Sequence, residues 1–254
     1  MKTAFAIGAH PDDIEFLMSG TMMRLADTGY HLHYINVANG CCGSTLYSPE
    51  ETARIRQLES QAAAEFVGAT FHPPLCNDLE IFYQKETLEQ LTSIIRIVRP
   101  EIILTHSPTD YMEDHTNTCR LAVTAAFCRG MPNYATQPPT DVSTQAVTLY
   151  HAQPYSHHDP LGNLIYPQYY VDVADLQQRK QSMLSLHASQ KQWLDESQGL
   201  DSYLKTMSEL DEKLGMMSGQ FSHAEGWRRH LHLGFCSPDD DPLLAALSDS
   251  IYQA

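Results

Sequence analysis

The chain has 254 residues, 43% of them hydrophobic, enough for one large α/β domain spanning 1–254 with a substantial core. Its formal net charge is −15, and no basic footprint of the kind needed by nucleic acid or an anionic membrane surface is visible. The apolar runs are too short for a membrane span and the first residues lack the pattern of a secretory leader, so a soluble cytoplasmic protein is expected. The acidity favours a small neutral or cationic substrate. None of the six cysteines, at 41, 42, 76, 119, 128 and 236, forms a CxxC pair. Reduced thiols are therefore expected, and any metal site must draw on nitrogen and oxygen.

In chain order, Thr3 to Ala9 is a short apolar run and reads as a strand. Phe16 to Thr28 has helical spacing and stops at Gly29. His31 to Ala38 alternates as a strand does. Ser48-Pro49-Glu50-Glu51 opens a helix with a cap, a first-position proline and first-turn acids, and the helix should run to about Val67. A short strand is expected at Thr70 to Pro73, a helix from Lys85 to Val98 stopped by Pro100, a buried strand at 102–106 and a helix from His115 to Arg129. This rhythm predicts an α/β fold: a Rossmann-like, largely parallel sheet with helices on both faces. The carboxyl-terminal half reads as elaborated. It holds a surface loop at 131–144, strands at Ala146 to His151 and Tyr169 to Val173, a long helix from Asp175 to Gln198 and a further helical stretch from Gly199 to Gly219. The tail after Phe221 mixes aromatics, His and Arg and ends in the acidic Asp239-Asp240-Asp241-Pro242.

Two polar clusters fall at carboxyl ends of strands, where parallel sheets bind ligands. The first is His10-Pro11-Asp12-Asp13. Adjacent carboxylates beside an imidazole are explained by a divalent cation, with His10 and Asp13 as ligands and Asp12 free to act as a general base. The competing reading is that both aspartates cap the next helix, which accounts for one of them well. The second cluster, His106 to His115, supplies a third nitrogen. His115 is the expected ligand and His106 a packed or supporting residue, while Glu113 and Asp114 suit a helix's first turn. Three protein ligands leave a coordination position for water. Zinc, one per chain, is the expected metal, though iron(II) or manganese would accept the same set.

Ala9-His10-Pro11-Asp12-Asp13 resembles the signature of the PIG-L, or LmbE-like, family of zinc-dependent N-acetylglucosamine deacetylases. Arg56-Gln57-Leu58-Glu59, the 106–115 segment, His187-Ala188-Ser189-Gln190 and Ala224-Glu225-Gly226-Trp227-Arg228 resemble later family motifs, in order. The resemblance implies removal of an acetyl group from a GlcNAc-type sugar or its conjugate. It gives zinc to His10, Asp13 and His115, makes Asp12 the base, and places Arg56 and Asp78 against the sugar. For Arg56 the alternative is a surface salt bridge with Glu59 or Glu51. Where the family carries an oxyanion-stabilising histidine this chain has Met112, whose thioether donates no hydrogen bond. His223 and His187 are the candidate substitutes, each with a purely structural reading beside it. A trimer or hexamer is implied by the resemblance alone. The alternatives are a related amidase on a larger acyl group or thiol-sugar conjugate, or a non-catalytic nucleotide- or metabolite-binding module; Gly8-Ala9-His10-Pro11-Asp12 lacks the GxGxxG of the last.

Overall fold

Strand β1 (Thr3–Gly8) is buried along its length, and its side chains divide with a strand's two-residue period. Ala4 and Ala6 enter one apolar cluster, Phe5 and Ile7 the other. A strand buried on both faces belongs in the middle of a sheet. In a computed structural model, which describes residues 2–191 and 203–254, β1 lies between β2 (His31–Asn36) and β4 (Ile102–Thr105), parallel to both. Strand β3 (Thr70–His72) continues the parallel sheet beyond β2, and β5 (Thr148–Ala152) continues it beyond β4. Antiparallel strands β7 (Ala224–Arg229), β6 (Tyr169–Asp172) and β8 (Ile251–Gln253) complete the order β3-β2-β1-β4-β5-β7-β6-β8. The largely parallel sheet expected from the alternation of elements is thus present, with an antiparallel extension.

Helices cover both faces. Helices α2 (Ser19–Asp27), α3 (Pro49–Phe66) and α6 (Gln177–Leu184) contribute Met22, Met23, Ala63, Ala64 and Met183 to the cluster around Ala4 and Ala6. Helices α4 (Lys85–Val98) and α5 (Glu113–Cys128) contribute Leu91, Ile95, Leu121 and Ala122 to the one around Phe5 and Ile7. The chain leaves β1 towards β2 and β3, then crosses back to β4 on the other side. The resulting switch point opens a crevice beyond the carboxyl ends of β1 and β4.

Several boundaries differ from the expectation. The helix expected over 16–28 is two helices, α1 (Asp13–Leu17) and α2, parted at Met18. The free N–H groups of Gly20 and Thr21 at the start of α2 are taken by the Glu225 carboxylate, at 2.8 and 2.7 Å. The long helix expected from Asp175 ends as α6 at Leu184, and residues 192–198 of that expectation lie outside the described residues. The chain turns at 185–187, and Ser189 then donates from its amide and hydroxyl to Glu59, at 2.8 and 2.6 Å. Helix α7 (Tyr203–Ser218) fills most of the next expected stretch, whose residues 199–202 also lie outside the described residues. The tail after Phe221 holds β7, β8 and α8 (Pro242–Ala246). The loop at 131–144 is tethered from below: the buried Arg96 guanidinium donates to the carbonyls of Cys128, Arg129, Met131, Tyr134 and Thr140. Among the described residues no helix is long and apolar enough to cross a membrane.

Candidate active site

Strand β1 ends in a tight return. A Cβ on Gly8 would stand 2.9 Å from Ile14 Cγ1 and 3.0 Å from Asn36 Oδ1, so only glycine lets the following turn fold back this closely. Asp12 then adopts φ 105°, a conformation costly for a side chain-bearing residue. Neither aspartate caps α1 through its side chain as the competing reading supposed. The Asp12 side chain makes no cap bond, and Asp13 Oδ2 instead accepts from the His10 amide at 2.7 Å.

The two imidazoles are oriented by carboxylates behind them. His10 Nε2 lies 3.0 Å from Asp114 Oδ2 and 3.2 Å from Asp78 Oδ1, which places its proton there and leaves Nδ1 as a lone pair. His115 Nδ1 faces Asp110 Oδ1 at 3.1 Å without an aligned hydrogen bond, leaving Nε2 directed at Asp13. Those two inner nitrogens stand 3.4 and 3.3 Å from the Asp13 carboxylate. Such spacings exceed a normal N–H···O bond, whereas two atoms sharing a tetrahedral zinc at about 2.0–2.1 Å stand about 3.4 Å apart. One ligand atom from each of His10, Asp13 and His115 lies within 4.8 Å of the others. His10, Asp78 and Asp114, and His106, Asp110 and His115, also meet that criterion. Two features favour the first set. It lines the cavity, and its imidazoles are backed by carboxylates in the manner of metal-ligating histidines. His106 is fully buried, stacked on His115, and accepts the Ala9 amide at Nε2 at 2.9 Å, as a supporting residue should.

The electrostatics show what this arrangement lacks. Burial works against a charge on His115, but Asp13 and Asp110 outweigh it and raise its imidazolium to about 9. Burial likewise opposes charge on His10, and Asp114, Asp13 and Asp78 outweigh it, holding its value well above normal. The cluster therefore calls for positive charge between its inner nitrogens. The donor set suits a divalent ion, which would replace protons there.

Asp12 points to the same cavity and is held on two sides. Tyr203, from α7, donates its hydroxyl to Asp12 Oδ2 at 2.6 Å, and the Arg56 guanidinium lies 3.6 Å from the same oxygen. Burial raises the Asp12 carboxyl, and Arg56 draws it back towards the charged form. Arg56 is itself buried and donates to the carbonyls of Pro11 and Gly40, at 2.5 and 3.3 Å. A Cβ on Gly43 would come within 2.5 Å of its guanidinium. The surface salt bridges considered for Arg56 go elsewhere, since Glu51 pairs with Arg54 and Glu59 with Ser189.

A cavity of about 440 Å³ connects these groups. His10, Asp12, Asp13, Arg56, Asp78 and His115 all line it, and Met112 is in its wall. The two candidate donors do not. His187 is fully buried 3.3 Å from Glu15, and His223 sits in the turn before β7 beside Ser222, so within one chain neither stands in the cavity wall. Sequence reasoning missed Tyr203, Asp110 and the bond from His10 to Asp114. Asp110, five residues before the expected ligand, was the one signal available, since ligating histidines are commonly backed by a carboxylate.

The PIG-L family, described as GlcNAc-PI de-N-acetylase, matches residues 5–127. The diacetylchitobiose deacetylase of Thermococcus kodakarensis is 30% identical over 241 residues, spanning 90% of this chain and 83% of the relative. The chain belongs to this family. A second relative, the 4-oxalmesaconate hydratase of Pseudomonas putida, is 27% identical over 75% of this chain and 74% of its own length. Among solved structures, the 4-carboxy-2-hydroxymuconate hydratase of Pseudomonas putida superposes with a TM-score of 0.75 at 22% identity, covering 91% of this chain and 97% of that one. The family's fold is therefore shared by proteins named as deacetylases and as hydratases.

Proposed function

We propose that this PIG-L family member removes the acetyl group from the N-acetylamino group of a GlcNAc-type sugar, with a divalent metal, zinc by preference, held by His10, Asp13 and His115. A bound ion there supplies a Lewis acid that acidifies water and polarises the acetyl carbonyl. The remaining work falls to side chains. Asp12, whose carboxyl is raised by burial against the pull of Arg56, takes the proton of the attacking water at its carboxylate and returns it to the departing nitrogen. Tyr203 fixes Asp12 Oδ2, leaving Oδ1 for the water. Asp78 and Asp114 fix His10, and Asp110 stands behind His115. Arg56 and Asp78, both in the cavity wall, are positioned for sugar hydroxyls.

The observation that carries this reading is the convergence of two inner imidazole nitrogens on Asp13, with Asp12 left out of that convergence and held beside it by Tyr203. The test is acetate release from N-acetylglucosamine or its conjugates. Activity should disappear on chelation and return with zinc, and Asp12→Asn should keep the metal while losing turnover. An Asp12→Asn protein that hydrolyses at the wild-type rate contradicts the assignment of the base.

The hydratase relative and the thioether at Met112 favour one second reading, addition of water across a conjugated carbon–carbon double bond of a small carboxylic acid. Loss of ultraviolet absorbance from such an acid, with no acetate released from any N-acetyl sugar, would select it.

A further inference from the structure

The loop that follows β2 carries two adjacent thiols, Cys41 and Cys42, which the proposed reaction does not use. Their sulfurs stand 4.0 Å apart. Glycines bracket them for a physical reason. Gly40 sits at φ 68°, and a Cβ there would come within 2.7 Å of the Arg56 guanidinium. Gly43 closes the turn by donating its amide to the Gly40 carbonyl at 3.2 Å, and that carbonyl also accepts from Arg56. The two thiols are therefore carried on a turn clamped over a buried guanidinium, and Cys42 stands in the cavity wall.

Asp78 ties the turn to the site. The Cys42 amide donates to Asp78 Oδ2 at 3.2 Å, while Asp78 Oδ1 faces His10 Nε2 at 3.2 Å. The Cys42 sulfur lies 4.0 Å from the Asp78 carbonyl. From the other side, the Cys41 amide donates to Asn39 Oδ1 at 3.1 Å, and Asn39 Nδ2 donates to Asn77 Oδ1 at 2.9 Å. A ligand that takes hold of both sulfurs thus bears on the carboxylate that orients His10.

The spacing selects the ligand. A direct S–S bond is about 2.05 Å long and ordinarily joins α-carbons about 4.4–6.8 Å apart. Neighbouring residues offer only about 3.8 Å. One centre about 2.3 Å from each of two sulfurs, by contrast, spans about 3.8 Å at a tetrahedral angle. Cys42 is exposed, so a side-chain rotation completes the fit. Partial burial, Cys41 and Asp78 push the Cys42 thiol up, which removes the low-pKa thiolate that a peroxide-sensing cysteine needs. A centre that condenses with two thiols and needs no oxidant suits the pair better.

We infer that Cys41 and Cys42 form a dithiol site that takes one thiophilic centre, a trivalent arsenical, across both sulfurs and thereby disables the Asp78 side of the cavity. With an arsenoxide R–As=O, two As–S bonds and two O–H bonds form as the As=O bond and two S–H bonds break. The oxygen leaves as water with both thiol protons, and the arsenic stays trivalent. Imidazole and carboxylate are poor ligands for so soft a centre, so the candidate metal site does not compete for it. The bridge draws the Cys42 amide from Asp78 and sets the organic group of the arsenical in the cavity wall. Binding stands on the dithiol alone, and only its effect on turnover rests on the deacetylase reading.

Phenylarsine oxide tests this on the zinc-loaded protein. Intact mass spectrometry should show one phenylarsenic adduct per chain at one equivalent. The adduct should shield Cys41 and Cys42, and not the other cysteines, from N-ethylmaleimide. Acetate release from N-acetylglucosamine or its conjugates should fall about tenfold or more with the zinc content unaltered, and 2,3-dimercaptopropanol should restore it. Cys41→Ser should keep the untreated rate and bind the arsenical about a hundredfold more weakly. No adduct, shielding of other cysteines instead, or an equally avid Cys41→Ser overturns the site. An adduct that leaves turnover intact, or that expels zinc, overturns the coupling through Asp78. If the untreated protein hydrolyses no N-acetyl sugar, the deacetylase reading fails by itself, and the adduct and the shielding decide the dithiol site separately.

Discussion

The protein buries two clusters of charge, and they are built on opposite plans. In the carboxyl-terminal half, Lys180 of α6 is fully buried with its Nζ 2.6 Å from Glu225 and 2.7 Å from Asp211. The Glu225 oxygens also take the Gly20 and Thr21 amides, and Gln177 donates to Asp211 at 2.8 Å. The charged groups of that cluster pair with one another and with the backbone amides of α2. Beyond β1 and β4 the balance is different. Asp12, Asp13, Asp78, Asp110 and Asp114 face Arg56 and the imidazoles of His10, His106 and His115. Buried atoms such as Asp110 Oδ2 have no partner, and a cavity opens beside them. A closed cluster holds helices to a sheet. An open one with surplus acceptors is arranged for something from outside.

Breaking each cluster should therefore fail in a different way. The largest effect falls at the open one. Asp12→Asn should reduce acetate release by about 10²–10⁴-fold with metal content and melting temperature close to wild type, as expected for loss of a general base alone. Zinc content by mass spectrometry and a kinetic assay on the same preparation check this. At the closed cluster, Lys180→Met leaves Glu225 and Asp211 buried without their cation and should cost about 3–5 kcal/mol in urea unfolding. Folded Lys180→Met protein should still bind metal. Loss of metal with stability intact would mean that the two clusters are coupled.

A smaller effect follows from pH. Burial, helped by Glu225 and opposed by Lys180, raises the Asp211 carboxyl to about 6. A carboxyl raised on folding favours the folded state while protonated. Its stabilising contribution is complete below about pH 3.9 and is lost as the pH rises through about 6. Urea unfolding across that window should show this loss, and Asp211→Asn should remove it. An unaltered pH slope in the variant would assign the titration to another group. The smallest effect is expected at the exposed Arg54–Glu51 pair, where Glu51→Ala should leave the urea unfolding midpoint and turnover unaltered. A large loss of activity there would return Glu51 to the role once open for it, as partner of Arg56.

The two clusters also differ in how far they can be read from sequence. His10, Asp12, Asp13 and His115 lie within two short segments at strand ends, and the resemblance singled out Arg56 and Asp78. The structure brings all six to one cavity. Tyr203 was not legible because its contact with Asp12 spans 191 positions and depends on how α7 docks. Asp114 looked like an ordinary first-turn acid, and its bond to His10 appears only when α5 meets the end of β1. Strand β7 escaped for a related reason. Ala-Glu-Gly-Trp-Arg-Arg places Glu225 in the core, which no alternation of polar and apolar residues signals, and it becomes tolerable only once Lys180 and the start of α2 surround it. The parallel half of the sheet, by contrast, was written in continuous apolar runs such as 102–104 and in caps such as Ser48, whose hydroxyl accepts the Glu51 amide.

The central claim, that two separated segments meet around one divalent ion, is tested most directly by a crystal structure of zinc-loaded protein with anomalous data at the zinc edge. One anomalous peak per chain, within about 2.0–2.2 Å of His10 Nδ1, the Asp13 carboxylate and His115 Nε2, is the expected result. A peak among His10, Asp78 and Asp114 instead, or none at either place, would contradict it.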